Sequence, residues 1–481
     1  MSLTADFARL LLTVAARGLT DAERATCRDL VVDGVAIAAA GSLEEGPRLL
    51  AAQAAAAGGA PVATVIGQGF RTDPVAAART NGAAMHVLDW EPMWNPPNHA
   101  VSTTLPAILA LGETLSRGVE LPGPAARAVP DGERLLLALA VGIEAQARLR
   151  LASGQYEPAQ LTFHPPGVVG PLGAAAASAV LLGLDAERLA HALGIAASRA
   201  GAVLVNVGSM TKGLHCGDAA AAGLDAALLA GRGFTADPDA LAGRRGFGYA
   251  FFGEAFDPSR LVAPVETLHV VDPGPAFKVF PSQYGTHFAI AAALDLHAAL
   301  PPGAGIERVR ITTPVMPYVD RPRPAGGLAG KFSFQYAAAV ALLDGRVGIE
   351  SFTDARRFAD DMERLLARTE LVQDPAIEGR FDRMHVRVEV TLADGRSLER
   401  RCDGPPGIWG RPIEGRLLAD KARGCLGLLL GPAGVSRTLE ALARIETLSA
   451  GAVAELLGGL RREGVDRPWH EAAGGTAAGG R

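Results

Sequence analysis

Residues 384–402, MHVRVEVTLADGRSLERRC, carry the pattern that decides the kind of fold this chain adopts. Apolar residues alternate with polar ones along 384–392, as in a β-strand that buries one face. The pair Asp394-Gly395 follows and favours a type I′ turn, after which SLERRC forms a second strand. The stretch therefore predicts a β-hairpin.

The neighbouring sequence mixes strand and helix patterns. Residues 306–312, IERVRIT, alternate in the same way as the hairpin, whereas 282–299, 331–344 and 354–368 have the apolar spacing of helices. Strands and helices that occur together in this way predict an α+β unit, which we place at 268–404.

The remainder of the chain has a helical pattern. Thr20 and Glu23 have the spacing of a capping box, and Asp73 followed by Pro74 is typical of a helix start. Alanine- and leucine-rich segments separated by glycine or proline continue to about residue 260, and helical patterns return after Pro405.

A chain of 481 residues exceeds what one hydrophobic core usually organises, which favours two domains. We predict a mainly α fold with a second α+β domain. The large all-helical domain is built from both chain ends, 1–267 and 405–481, and the smaller α+β domain, 268–404, is inserted. The cleft between them is the expected place for a site.

Composition excludes several classes of function. The formal net charge is -5, and its 46 basic side chains form no block that would follow a phosphate backbone, so we expect no nucleic-acid partner. No apolar run has the length of a membrane span, and the first residues, MSLTADFARLL, lack a cationic leader, so we expect a cytoplasmic protein with no membrane partner.

The four cysteines are far apart and show no CxxC spacing, so the sequence predicts neither a zinc site nor an iron–sulfur cluster. A metal site made of His99, His164 and Asp89 remains an alternative, but no HxxxH or HExxH pair supports it. We therefore expect no metal.

A loop between two helices contains the first candidate site residues. Residues 89–100, DWEPMWNPPNHA, include three prolines, so Asp89 ends one helix and His99 precedes the next on a constrained loop. The alternative is that both side chains only cap helix ends.

Two further motifs place candidates at helix starts. In LTFHPPGVVG, His164 precedes two prolines, which favour extended backbone and a defined side-chain direction. In NVGSMTKGLHCGDAA, Lys212 and His215 precede an alanine-rich helix whose start favours an anion. A surface histidine and a tight turn are the structural alternatives.

The predicted α+β domain contributes the remaining candidates. FKVFPSQYGTH supplies Lys278, with Ser282 as the expected helix cap, and PYVDRPRP supplies Tyr318 and two arginines on a loop. Candidates from both domains lie at element ends, which is how a polar site between domains is usually assembled.

Taken in order, these blocks resemble the MmgE/PrpD family, which includes 2-methylcitrate dehydratases and cis-aconitate decarboxylases. The resemblance covers nearly the whole chain. It implies a large helical domain, a smaller α+β domain, a site without a cofactor, a small polycarboxylate substrate and a homodimer. Its blocks are HVLDWEPMWNPPNHAVSTTLPAILALGE, TFHPPGVVGPLGAAAA, VGSMTKGLHCGDAAAAGLDAALLAGRGFTADPDALAG, KVFPSQYGTH and KFSFQYAAAVALLDG.

The resemblance also implies a set of site residues. Two positions depart from the decarboxylase branch: Met93 stands where that branch has threonine, and Gln283 where it has histidine. Both are expected to contact the substrate, together with Lys212 and Lys278. The catalytic residues that the resemblance implies are Asp89, His99, His164, Lys212, Lys278 and Tyr318.

These residues predict elimination of water from a small di- or tricarboxylic acid. His164 or Asp89 removes a carbon-bound proton, and His99 or Tyr318 protonates the leaving hydroxide. The alternatives are an epimerase or isomerase of a substituted succinate, which uses the same first step, a cis-aconitate-type decarboxylase, and a catalytically silent relative.

Overall fold

The computed structural model describes residues 2–123, 131–264, 266–409, 411 and 413–462. The protein is mainly helical, and its buried apolar side chains fall into two clusters. One cluster draws on residues 7–270 and 422–460 and the other chiefly on 276–408. The predicted fold class, mainly α with a smaller α+β part, is confirmed.

Helices from both ends of the described chain surround the first cluster, and helices from the region between them surround the second. Around the first cluster lie α1 Leu3–Arg17, α2 Asp21–Gly41, α3 Glu45–Ala57, α4 Pro74–Val87, α5 Ala100–Ser116, α6 Gly132–Ala152, α7 Pro165–Leu182, α8 Ala186–Ala197, α9 Met210–Gly231 and α10 Phe247–Phe252. Around the second lie α11 Tyr284–Ala299, α12 Gly327–Gly330, α13 Phe334–Asp344, α14 Asp354–Arg357 and α15 Asp360–Leu366. The chain then continues with α16 Gly415–Gly427, α17 Pro432–Leu442 and α18 Ala450–Gly459.

Two sheets accompany these helices. The larger has the strand order β4-β3-β5-β6, in which β3 and β4 run parallel and the other neighbours are antiparallel. Alternate residues of β5 are buried, as the opening pattern predicts. The strands are β1 Ala63–Val65, β2 Phe70–Thr72, β3 Ile306–Thr313, β4 Thr369–Gln373, β5 Val386–Leu392 and β6 Ser397–Cys402.

The structure corrects three sequence expectations. The β1–β2 hairpin lies against α4 and α5, so the larger part is not entirely helical. Strand β4, a parallel edge strand, was not predicted from the sequence. At the β5–β6 turn only Gly395 has a positive φ, 85°, so the turn is a type I turn with a glycine bulge instead of type I′. The domain limits stay a prediction, and residues 463–481 of the larger domain lie outside the described residues.

Helix α7 is the one described helix long and apolar enough to cross a membrane by length and composition. However, 94% of that window is buried inside the protein. Its apolar character is therefore that of a core helix, packed against α5, α6 and α9.

Small residues let the central helices approach closely. A Cβ added to Gly217 of α9 would lie 2.2 Å from the backbone oxygen of Arg79 in α4. Since α4 leads to Asp89 and α9 carries Lys212, this contact sets the distance between the segments that hold those two residues.

We predict that Gly217→Ala lowers the free energy of unfolding by about 1–3 kcal/mol, because backbone atoms of two helices would have to separate. Chemical denaturation measures the change. The matched control is Gly424→Ala in α16, where an added Cβ meets nothing within 4 Å. That variant should gain about 0.5–1 kcal/mol from helix propensity. Equal effects of the two substitutions would contradict the close α4–α9 contact.

Candidate active site

A cavity of about 490 Å³, including the open space at its mouth, is lined by residues from both the larger helical part and the smaller α+β part. Apolar side chains such as Leu204 and Phe332 form much of its wall. All eight residues that the sequence analysis singled out as catalytic or substrate-binding line this one cavity: Asp89, Met93, His99, His164, Lys212, Lys278, Gln283 and Tyr318.

Helix starts converge on the cavity. His99, His164 and Gln283 are the N-cap residues of α5, α7 and α11, and Lys212 lies in the first turn of α9. Because backbone N–H groups and the positive dipole end face outward from a helix start, this arrangement favours a bound anion. It also corrects one expectation, since Lys212 and His215 lie within α9 and do not precede it.

Asp89 occupies the centre of the site. Its φ is 50°, a left-handed conformation that aspartate tolerates better than most residues. Its carboxylate binds Lys212 Nζ at 2.9 Å through Oδ2 and also accepts a hydrogen bond from Lys278 through Oδ1. Burial raises the pKa of Asp89, but the two ammonium groups outweigh it and hold the pKa well below its usual value. Asp89 is therefore a fixed anion.

The two site lysines differ in what they offer a ligand. Lys278 Nζ donates to the Asp89 carboxylate, to the Asp89 backbone oxygen at 3.0 Å and to the Ser282 backbone oxygen at 3.1 Å, which uses all three of its N–H groups. Lys212 Nζ has two partners among the described residues, Asp89 and His86, so one N–H remains for a ligand. The expectation that both lysines bind the substrate is thus revised in favour of Lys212.

Two further lysines donate hydrogen bonds to the backbone oxygens on either side of Asp89. Lys331 Nζ donates to the backbone oxygen of Leu88 at 3.2 Å, and Lys421 Nζ donates to that of Trp90 at 2.8 Å. Together with the bond from Lys278 to Asp89, three consecutive carbonyl groups each accept from a different buried lysine. Burial lowers the pKa of Lys331 to about 8.

Histidine rings pack side by side along one wall. The ring centroid of His164 lies 5.2 Å from that of His86, 6.1 Å from that of His99 and 5.4 Å from that of His215. Burial lowers the pKa of His86 and of His215 to about 4. Burial also lowers the pKa of His99, and that of His164 further still with the help of the Lys212 ammonium group. The cluster is therefore neutral near pH 7.

Two further residues of the site, His86 and Glu91, were not predicted from the sequence. Both are buried behind the cavity wall, where Glu91 Oε1 contacts His86 Nδ1 directly and His99 Nδ1 at 3.2 Å. The sequence feature that could have identified His86 as a site residue is its position in HVLDWE, one helical turn before Asp89. On an alanine-rich helix it resembled an ordinary core residue.

His86, Glu91 and His99 are the one group of potential metal ligands found among the described residues, and their ligand atoms lie within 4.8 Å of one another. They are a different trio from the one considered in the sequence analysis, His99, His164 and Asp89. In the direct contact between them, His86 Nδ1–H donates a hydrogen bond to Glu91 Oε1, so both atoms already have a partner within the protein. The expectation of no metal stays a prediction.

Tyr318 and Gln283 form the opposite wall. Gln283 caps α11 by accepting from the Thr286 backbone N–H at 3.2 Å, so the cap is Gln283 and not Ser282 as expected. This bond orients the Gln283 amide so that Nε2 donates to the Tyr318 hydroxyl oxygen at 2.8 Å. Because the Tyr318 oxygen accepts from Gln283, the hydroxyl hydrogen stays available for another acceptor. Burial raises the pKa of Tyr318, which keeps the phenol protonated.

The alternative that Asp89 and His99 only cap helices is not supported. His99 is the N-cap of α5 but makes no side-chain capping hydrogen bond. The Asp89 carboxylate is bound by lysines from other segments. Both side chains belong to the polar network of the cavity.

We predict that the free energy of unfolding falls as the pH is lowered from about 6.5 to about 4. Unfolded imidazoles titrate near pH 6.5, whereas the pKa of His86 and of His215 is lowered to about 4 by burial, so the unfolded state takes up protons first. Urea denaturation across this range measures the slope. His215→Asn should make the decline shallower, and an unchanged slope would contradict a buried neutral His215.

Comparison with known proteins identifies the family. A model of the MmgE/PrpD N-terminal domain matches residues 5–259, and a model of the MmgE/PrpD C-terminal domain matches residues 280–447. The chain is 34% identical to the cis-aconitate decarboxylases of Mus musculus and Homo sapiens, over 79% and 80% of its length and 77% and 79% of theirs. It is 28% identical to the 2-methylcitrate dehydratase of Cupriavidus necator, over 75% of this chain and 77% of that enzyme. The chain therefore belongs to the MmgE/PrpD family.

Proposed function

We propose that this protein is a cofactor-independent lyase that removes water from a small hydroxy acid carrying two or three carboxylates, such as 2-methylcitrate. The observation that carries the proposal is the single cavity in which a lysine with a free N–H, neutral imidazoles and a protonated phenol face one another. Relatives named as 2-methylcitrate dehydratases and cis-aconitate decarboxylases support a lyase.

Binding begins with the carboxylates of the substrate. The remaining N–H of Lys212 donates to one of them, and the starts of α5, α7 and α11 attract the others. Lys212, Lys278 and Lys331 carry one positive charge more than Asp89 and Glu91 together balance, and in a largely apolar cavity this excess acts at reduced dielectric screening. The same groups stabilise negative charge that develops on a carboxylate oxygen during proton removal.

The reaction then needs a base and an acid. Asp89 is a poor base, because both its oxygens accept from ammonium groups. An imidazole of His99 or His164 takes the proton from carbon, the C–H electron pair becomes the new C=C bond, and the C–O bond breaks. The departing hydroxide takes the hydroxyl proton of Tyr318 and leaves as water. After product release the imidazolium gives its proton to solvent and Tyr318 takes one from solvent, which restores both groups.

Decarboxylation is the second candidate, and the 34% identity to two cis-aconitate decarboxylases favours it. Met93 and Gln283 argue for the dehydratase, because they replace a hydroxyl and an imidazole that the decarboxylase branch has at these positions. Met93 cannot donate a hydrogen bond, and Gln283 is neutral and is already bonded to Tyr318.

We also propose a cytoplasmic homodimer, on the basis of the family resemblance. Multi-angle light scattering of the purified protein tests the dimer. A monomeric mass at concentrations used for assays would contradict it.

We predict that proton NMR in deuterium oxide will detect a dehydrated product when the purified protein is incubated with 2-methylcitrate. Cis-aconitate and substituted succinates are assayed in parallel. Loss of one carbon as carbon dioxide would identify a decarboxylase instead, and deuterium incorporation without loss of water would identify an epimerase. No turnover of any acid in the panel would contradict an enzymatic function for this cavity.

We predict that Tyr318→Phe lowers kcat by about 100-fold or more and changes KM little, because the variant keeps the ring but loses the proton donated in the elimination. The matched control is Tyr336→Phe, which removes a hydroxyl that donates to the Ser351 backbone oxygen in the second core. That variant should lose stability and retain turnover. Similar kcat values for both variants would contradict the assigned acid.

A further inference from the structure

Among the described residues, Glu91 is the one carboxylate that contacts two of the clustered imidazoles, and it lies outside the cavity lining. Its side chain is fully buried, and Ser102 Oγ also donates to Oε1 at 3.0 Å. Burial raises the pKa of Glu91, but its contacts with His86 and His99 outweigh that effect and hold the pKa well below the usual value. The carboxylate is therefore ionised and can only accept hydrogen bonds.

This constraint determines where each histidine carries its proton. Since Glu91 cannot donate, the ring nitrogen that faces it is the one expected to carry the hydrogen. His86 Nδ1 is hydrogen-bonded to Oε1, and His99 Nδ1 lies 3.2 Å from the same oxygen without the alignment of a full hydrogen bond. A neutral imidazole has one proton, so Nε2 of both rings keeps its lone pair. In His86 that lone pair accepts from Lys212 Nζ at 2.7 Å. In His99, which lines the cavity, Nε2 lies 3.8 Å from Asp89 Oδ1.

We propose that Glu91 is a positioning residue: it holds His99 with the proton on Nδ1, so that Nε2 meets the substrate as the base, and through His86 it fixes the ammonium group of Lys212. This inference rests on the proposed function for the identity of the step, and it selects His99 over His164 as the base. The proton moves from the substrate carbon to His99 Nε2, and Glu91 stabilises the imidazolium that results.

The second oxygen of Glu91 supports a role beyond packing. Glu91 Oε2 is buried and has no hydrogen-bond partner among the described residues, so the carboxylate gains its stabilisation from one oxygen that faces the imidazoles. Because only this oxygen is paired, Ser102 and the two imidazoles are the groups that stabilise the buried charge, and the charge acts back on the imidazoles.

The first test measures the proton position directly and needs no turnover. Nitrogen-15 NMR of selectively labelled histidine distinguishes a protonated from an unprotonated ring nitrogen, and the loss of one set of signals in His99→Asn assigns that residue. We expect the Nδ1–H tautomer for His99 in the free enzyme. The Nε2–H tautomer would overturn the proposal, whether or not a substrate has been found.

The second test uses Glu91→Gln. An amide oxygen at the position of Oε1 can still accept from both rings, but the amide carries no charge to hold the protons on Nδ1 or to stabilise the imidazolium. We expect kcat to fall by at least about 100-fold with little change in KM. Glu91→Asp keeps the charge and should restore part of the lost rate.

The pH profile separates positioning from folding. Glu91 favours protonated His99, so its removal should move the acidic limb of kcat/KM to lower pH. The matched control is Glu113→Gln, since Glu113 is a buried carboxylate near the far end of α5 that binds Thr64, Arg71 and Arg117. Glu113→Gln should lower the free energy of unfolding and leave the acidic limb of kcat/KM at the same pH. The charged and titratable groups that face His99 are Asp89, Glu91, Lys278, His86 and His164.

Two further outcomes would overturn the proposal. An acidic limb that stays in place in Glu91→Gln, with turnover within about threefold of the parent, would show that Glu91 does not act through His99. Stoichiometric zinc binding that disappears in Glu91→Gln would show that the oxygen of Glu91 is a metal ligand instead of a hydrogen-bond acceptor. Dialysis and zinc titration of the full-length protein measure this.

Discussion

The structure depends on how tightly residues 88–90 are held. Their three backbone oxygens accept from Lys331, Lys278 and Lys421, and the carboxylate at the centre binds Lys212. These lysines come from distant segments, so the short stretch joins parts of the chain that belong to both hydrophobic cores. Burying charge is expensive unless each group is paired, and removing one partner leaves the others uncompensated. The site is therefore as much a structural connection as a place for chemistry.

Alanine- and glycine-rich helices make this arrangement possible. Close contact between α4 and α9 brings Asp89 to Lys212, and helix starts on other elements supply His99, His164 and Gln283. Because a helix start carries its own partial positive charge, the cavity attracts anions with few charged side chains. The neutral imidazoles are a consequence of the same burial, which disfavours a second positive charge beside Lys212.

Much of this site could be predicted because the residue patterns that end and start helices are short and can be recognised in the sequence. Prolines around Asp89 and His99 forbid helix, and His164 and Gln283 lie at helix starts that sequence patterns mark. The three lysine-to-carbonyl bonds were not predictable, since each joins segments far apart in sequence. His86 lay hidden in an alanine-rich helix, and β4, TELVQ, is too short and too irregular in burial to give an alternating pattern. At the β5–β6 turn, Asp394-Gly395 suits more than one loop geometry, and the hydrogen bonds of the sheet decide between them.

The lysine content has a practical consequence. Only four residues of this chain are lysine, and all four are buried, so the exposed basic side chains are arginines. Reagents that acylate amines would find no lysine on the folded surface. A fluorophore ester or an activated resin should thus leave all four lysines, including those of the cavity, unmodified while the protein stays folded. Amine crosslinkers, by the same logic, would be uninformative about its assembly.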